Sequence, residues 1–106
     1  MKYLMMVCVE EEPIEPVEDV APWAEELDRR GARLLGDRLR GSTDWTTVRV
    51  RKGETVVSDG PYAETKEFVG GFDVIDCADL DEAIEIASRH PVAKFGALEL
   101  RPFWPM

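Results

Sequence analysis

The run Asp59-Gly60-Pro61-Tyr62-Ala63-Glu64-Thr65-Lys66-Glu67 brings carboxylates, an ammonium and a phenol together behind a stiff Gly-Pro corner. Proton transfer needs an acid and a base within hydrogen-bond reach, and an anionic ligand needs a cation, so the residue types for both are present. Each also has a structural duty. Asp59 can act as a general base, or it can accept backbone N–H bonds in an Asx-turn. Pro61 fixes its own φ and can open a helical turn, so Glu64 and Glu67 either work as acid/base groups or complement the dipole of a short helix. Lys66 can hold an anionic substrate or sit as a solvated charge among acids. Tyr62 offers a phenol to a pocket or packs its ring onto a sheet. His90, the only imidazole of the chain, falls at the expected C-terminus of a helix. There the dipole favours its charged form, and capping the last carbonyls is the alternative to catalysis.

Other chemistries leave no trace. The sequence has no Gly-rich phosphate loop, no Ser-His-Asp arrangement and no Cys-x-x-Cys or Cys/His spacing, so it implies neither a metal nor a cofactor. Cys8 and Cys77 are expected on strands, reduced and buried, with cross-strand pairing under oxidation as the alternative. Trp23, Trp45 and Trp104 read as core or dimer contacts. A net charge of −9 with acids at Glu10, Glu11, Glu12, Glu15, Glu18 and Asp19 argues against nucleic acid as a partner. Arg29, Arg30, Arg33, Arg38 and Arg40 are expected as an exposed helix end and strand face, offset by Asp28 and Asp37. The longest apolar run, Tyr3 to Val9, is far short of the roughly 20 residues that span a bilayer. It also lacks a secretory cleavage pattern, so the expectation is a cytoplasmic, soluble protein with no membrane association.

The elements that must position these groups follow from periodicity. At 106 residues the chain is read as one domain, 1–106, with a thin core. Lys2 to Val9 is a strand apolar on both faces, hence central. Val20, Trp23, Ala24 and Leu27 recur at helical spacing, with Asp19 as N-cap, Pro22 in the first turn and Gly31 as the stop. Strands follow over Ala32 to Arg40 and Thr46 to Arg51, a turn at Lys52-Gly53-Glu54 leads into Thr55 to Ser58, and a further strand runs from Gly71 to Cys77. Asp79-Leu80-Asp81-Glu82 resembles a capping box, with Leu80, Ala83, Ile84 and Ala87 as the apolar stripe of a second helix that Pro91 stops. Gly96 to Arg101 is the last strand. Apart from the inserted β-hairpin, this βαββαβ order is the split pattern of ferredoxin-like α+β folds, with both helices on one face of a four-stranded antiparallel sheet. The other face would be bare although the first strand is apolar on both sides. A second copy covering it, as a homodimer, is the expected solution.

The Asp59 to Glu67 run resembles the signature of the DGPF branch of the YCII-related family, with Tyr62 where that signature has Phe. The likeness continues through Met1-Lys2-Tyr3, Thr46-Thr47-Val48-Arg49, Gly70-Gly71-Phe72, Asp79-Leu80-Asp81-Glu82-Ala83 and Glu99-Leu100-Arg101-Pro102. The resemblance implies a dimeric α+β barrel of ferredoxin-like protomers. Related proteins include a lyase that removes chloride from a hydroxylated aromatic ring, and some members are encoded beside alternative sigma factors. In the shorter YCII branch, a histidine on the first helix and an aspartate before a proline after the second helix are proposed as an acid/base dyad. This sequence departs from that pattern: its first helix has no histidine, and the residue before Pro91 is His90. The functional expectation is a cavity for a small organic ligand, with Tyr62, Lys66 and Glu67 binding it and His90, Asp59 and Glu64 supplying cofactor-free, lyase- or isomerase-like acid/base chemistry. The competing expectation is a non-enzymatic interaction or regulatory protein, linked to an alternative sigma factor.

Overall fold

Residues 1–10, 20–61 and 68–105 are described by a computed structural model. Strand β1 (Lys2–Val9) lies at the centre of a four-stranded antiparallel sheet. It pairs on one side with β5 (Phe68–Asp76) and on the other with β6 (Ala97–Pro102), while β2 (Arg33–Arg38) pairs with the outer edge of β5. Helices α1 (Ala21–Arg29) and α2 (Leu80–Ser88) supply the crossovers, which gives the ferredoxin-like βαββαβ arrangement. The hairpin of β3 (Thr46–Arg51) and β4 (Glu54–Asp59) forms its own two-stranded sheet between β2 and β5 in sequence.

Alternation along β1 decides what is covered. Tyr3 and Met5 share a buried cluster with Ile75 of β5, Trp23 and Leu27 of α1, and Ala83, Ile86 and Ala87 of α2. Burying side chains as fully as Met5, Ile75 and Ile86 contributes about 1.5 to 3 kcal/mol each. A second cluster, Val7, Val9 and Val92, lies toward the other end of β1, with Phe68 and Leu98 against it. Leu4, Met6, Phe72 and Val74 point to the opposite face and remain half-buried, and Leu35 on β2 is exposed. None of these belongs to either cluster.

Helix ends follow local chemistry, with two corrections. Gly31, at φ +69°, ends α1 in a left-handed turn where the Ala32 N–H donates to the Leu27 carbonyl and the Gly31 N–H to that of Asp28. The N-cap position of α1 is held by Val20 with no side-chain cap, not by Asp19, which lies outside the described residues. At α2 the Asp79 carboxylate accepts from the Glu82 N–H at 2.9 Å. Asp79→Ala is therefore expected to cost about 1 kcal/mol in chemical denaturation, and Asp79→Asn much less. The buried face of α2 is Ala83, Ile86 and Ala87, whereas Leu80 and Ile84, expected on the stripe, are half exposed. Ala83, Ile86 and Ala87 join the cluster formed with Tyr3, Met5 and Ile75 of the sheet, while Leu80 and Ile84 lie outside it.

Strand boundaries shift by a few residues. β2 is shorter than expected, β6 begins at Ala97, and β5 begins at Phe68, so Gly70 and Gly71 lie inside a strand. The hairpin turn is the two-residue loop Lys52-Gly53, both at positive φ, and Glu54 already pairs with Arg51. That backbone matches the right-handed twist of the strands it joins. Cys77 follows β5 rather than lying on it; it is buried, and burial pushes its thiol pKa up. Cys8 pairs near the far end of β5 from Cys77, and neither residue is in a disulfide. No described helix is long and apolar enough to cross a membrane.

Candidate functional site

Pro91 ends α2, and the chain then folds back into a 3-10 turn, Pro91–Lys94, whose N-cap is His90. The His90 backbone N–H still donates to the Ala87 carbonyl at 3.1 Å, but its side chain leaves the helix axis and enters the core. Its ring centroid lies 4.7 Å from that of Trp23, at an interplanar angle of 70°. The indole is fixed in turn by its own N–H, which donates to the Ile86 carbonyl at 3.0 Å. The His90 Nδ1 accepts from the Val92 N–H at 3.1 Å. A nitrogen that accepts cannot carry the proton, so the neutral ring holds its hydrogen on Nε2. Burial holds the His90 pKa below its ordinary value of 6.5. This corrects the expected role at the helix C-terminus: the side chain caps no α2 carbonyl, and its surroundings favour the uncharged form.

Asp59 closes β4 and is exposed, and among the described residues nothing bonds its carboxylate. The corner it opens is held by other groups. Gly60, at φ +87°, donates its N–H to the Trp45 carbonyl at 2.8 Å and accepts from the Thr47 hydroxyl at 2.7 Å. Tyr62, Glu64, Lys66 and Glu67 lie outside the described residues. On either side of them the chain is placed: Gly60 follows the hairpin, and Phe68 begins β5, packs on the Val7, Val9 and Val92 cluster and lies 6.1 Å from the Trp45 ring. Phe68 and His90 thus both adjoin Val92, the one through its side chain and the other through its N–H, while Asp59 and His90 make no direct bond.

One charged group in the core went unnoticed in the sequence. Asp73, on β5 in the same register as Ile75, is buried, and its carboxylate accepts from the Arg33 Nε at 2.8 Å. Arg33 also reaches Asp28 at 3.3 Å and the Gly36 carbonyl at 3.1 Å. Far from lying on an exposed strand face, Arg33 ties the end of α1, the edge strand β2 and β5 together. Burial, opposed by Arg33, holds the Asp73 carboxyl above its ordinary range, while the bond to Asp73 raises the guanidinium pKa. Gly36 opposes Asp73 across the β2/β5 ladder, where a Cβ would collide with the Asp73 carboxylate and the Arg33 guanidinium. The signal was available: an acid in the core register of a strand requires a partner.

Two helices on one face of a sheet ordered β2-β5-β1-β6 define a ferredoxin-like α+β domain, with a buried imidazole at the end of the second helix. A family model described as the YCII-related domain matches residues 1–106, and the chain belongs to the YCII-related family. It is similar to an uncharacterized protein of Rhizobium meliloti (strain 1021), 36% identical over an aligned length of 114 residues, gaps included, that covers 92% of this chain and 88% of that protein.

Proposed function

We propose that this protein binds a small organic molecule on the helix-covered side of the sheet, at the end where His90 and Phe68 converge, and that it works as a homodimer. The observation that carries the reading is His90: a buried imidazole whose Nδ1 is occupied by the Val92 N–H, leaving the Nε2 hydrogen as the group it can offer. Such a group donates a hydrogen bond, or a proton, to an electron-rich oxygen of a ligand. The complementary base would come from Asp59 or Glu64, with Tyr62, Lys66 and Glu67 at the rim, giving cofactor-free lyase- or isomerase-like chemistry. The dimer would cover the face that carries Leu4, Met6, Phe72, Val74 and Leu35.

A thermal-shift screen against small aromatic and carboxylate metabolites tests the binding, because a ligand that prefers the native state raises its apparent stability. At least one compound is expected to raise Tm, with affinity lowered tenfold or more by His90→Gln and by the pair Asp59→Asn and Glu64→Gln. Unchanged affinity in both variants would overturn the site. Sizing in solution tests the assembly, and a monomer at micromolar concentration would refute the dimer.

A second reading, a non-enzymatic interaction protein such as a partner of an alternative sigma factor, is favoured by the hairpin. Val48, Val50 and Val57 are exposed on one of its faces, an apolar surface without a cover among the described residues. Alanine at these three positions would abolish partner binding under this reading and leave ligand affinity untouched under the first.

A further inference from the structure

The contact between His90 and Val92 depends on the charge of the ring. A neutral imidazole accepts the Val92 N–H at Nδ1; an imidazolium has a hydrogen at both nitrogens and accepts nothing. Protonation would therefore set two donors against each other inside the core. The turn held by this bond is short. The Ala93 N–H donates to the His90 carbonyl, and those of Phe95 and Gly96 donate to the Val92 carbonyl at 3.1 and 2.7 Å. Gly96 packs so tightly against the Cys8 carbonyl and the Val92 side chain that a Cβ would not fit. Val92 is the plug, seated on Val7 and Val9.

Nothing among the described residues offsets a charge on the ring. Trp23 faces it from α1, α2 holds its backbone through the Ala87 carbonyl, and the Val92 N–H meets it from the turn. No described charged side chain of these elements bonds to the ring. On α1, Glu25, Asp28 and Arg29 are exposed and Glu26 is half-buried. On α2, Asp81 is exposed, Glu82 is half-buried, and Glu85 pairs with the exposed Arg89 at 3.1 Å; Lys94 on the turn is exposed. Among the described residues no carboxylate bonds to the ring, and burial lowers its pKa.

We infer that His90 is an acid-operated latch: taking a proton at Nδ1 releases the 90–96 turn and uncovers Val7, Val9 and Phe68, while the rest of the sheet stays folded. The latch needs no ligand, so it stands or falls separately from the binding reading. Its opening would also remove the wall beside any molecule held at His90, coupling retention to pH.

His90 is the single histidine, so the untagged protein gives one set of imidazole signals. At neutral pH the nitrogen shifts should report the Nε2–H form, and titration should place the midpoint below 6.5. Amide exchange protection at Val92, Phe95 and Gly96 should fall at least tenfold with the same midpoint, while Met5 and Ile75 stay protected. His90→Asn keeps an acceptor for the Val92 N–H but does not titrate, and its protection should be flat over the same range. An Nδ1–H form at neutral pH, a midpoint at or above 6.5, simultaneous loss at Met5 and Ile75, or the same fall in His90→Asn would each overturn the latch. If the variant does not fold, the wild-type titration and exchange midpoints decide alone.

Discussion

Arg33→Met should lower folding stability by about 3 kcal/mol at neutral pH, because it leaves the Asp73 carboxylate buried without its cation. Asp73→Asn should cost far less, about 1 kcal/mol. The amide keeps an oxygen for the Arg33 Nε, and Arg33 retains Asp28 and the Gly36 carbonyl. The asymmetry reflects which partner is stranded. It also has a pH signature. A carboxyl whose folded pKa lies above its unfolded value of 3.8 stabilises the fold at low pH relative to neutral pH, and that advantage is lost as pH rises through the folded value. Removing Arg33 pushes that folded value higher still. The cost of Arg33→Met should consequently be larger at pH 7 than at pH 4, and the double change with Asp73→Asn should recover more than half of it. Denaturation of the three variants at both pH values checks this, and equal costs for the two single changes would refute the assignment. Gly36→Ala should resemble Arg33→Met, since its methyl would occupy the space of the pair.

What the sequence disclosed and what it withheld divide along the range of the interactions concerned. The two-sided apolar character of β1, the left-handed stop at Gly31 and the Asp79 cap are settled by neighbours a few positions away, and all are legible from residue order. Apolar spacing alone places Leu80 and Ile84 on the stripe of α2, whereas the helix docks through Ala83, Ile86 and Ala87. Helical spacing offers both stripes, and the choice between them is made by contacts with Tyr3, Met5, Trp23 and Ile75, which lie far away in the chain. His90 was legible as a residue of interest but its environment was not: local order placed it at a helix end, and the chain reversal at Pro91 together with the distant Trp23 places it in the core. Asp73 lay in plain register with Ile75, yet its partner, Arg33, comes from another strand. Asp59 is the converse case, a residue prominent in the sequence whose corner is held by Thr47 and the Trp45 backbone.

Trp23→Ala should cost about 4 kcal/mol, the range for emptying a buried indole site. Trp23→Phe should cost only about 1 to 2 kcal/mol, since the ring volume is largely kept and the loss is chiefly the bond to the Ile86 carbonyl. The two changes should separate more sharply at His90 than in stability. A base whose folded pKa lies below its unfolded value of 6.5 contributes stability that is present above 6.5 and lost as pH falls through the folded value. Phenylalanine keeps the imidazole covered and should preserve that acid-dependent loss. Alanine opens the ring to water, removes the cause of the depressed pKa, and should return the His90 midpoint toward 6.5 while flattening the stability profile below it. Imidazole titration beside denaturation at several pH values reads both effects on the same samples. A His90 midpoint unmoved by Trp23→Ala would mean that the indole does not supply the burial, and the sealed imidazole would then owe its state to Val92 and α2 alone.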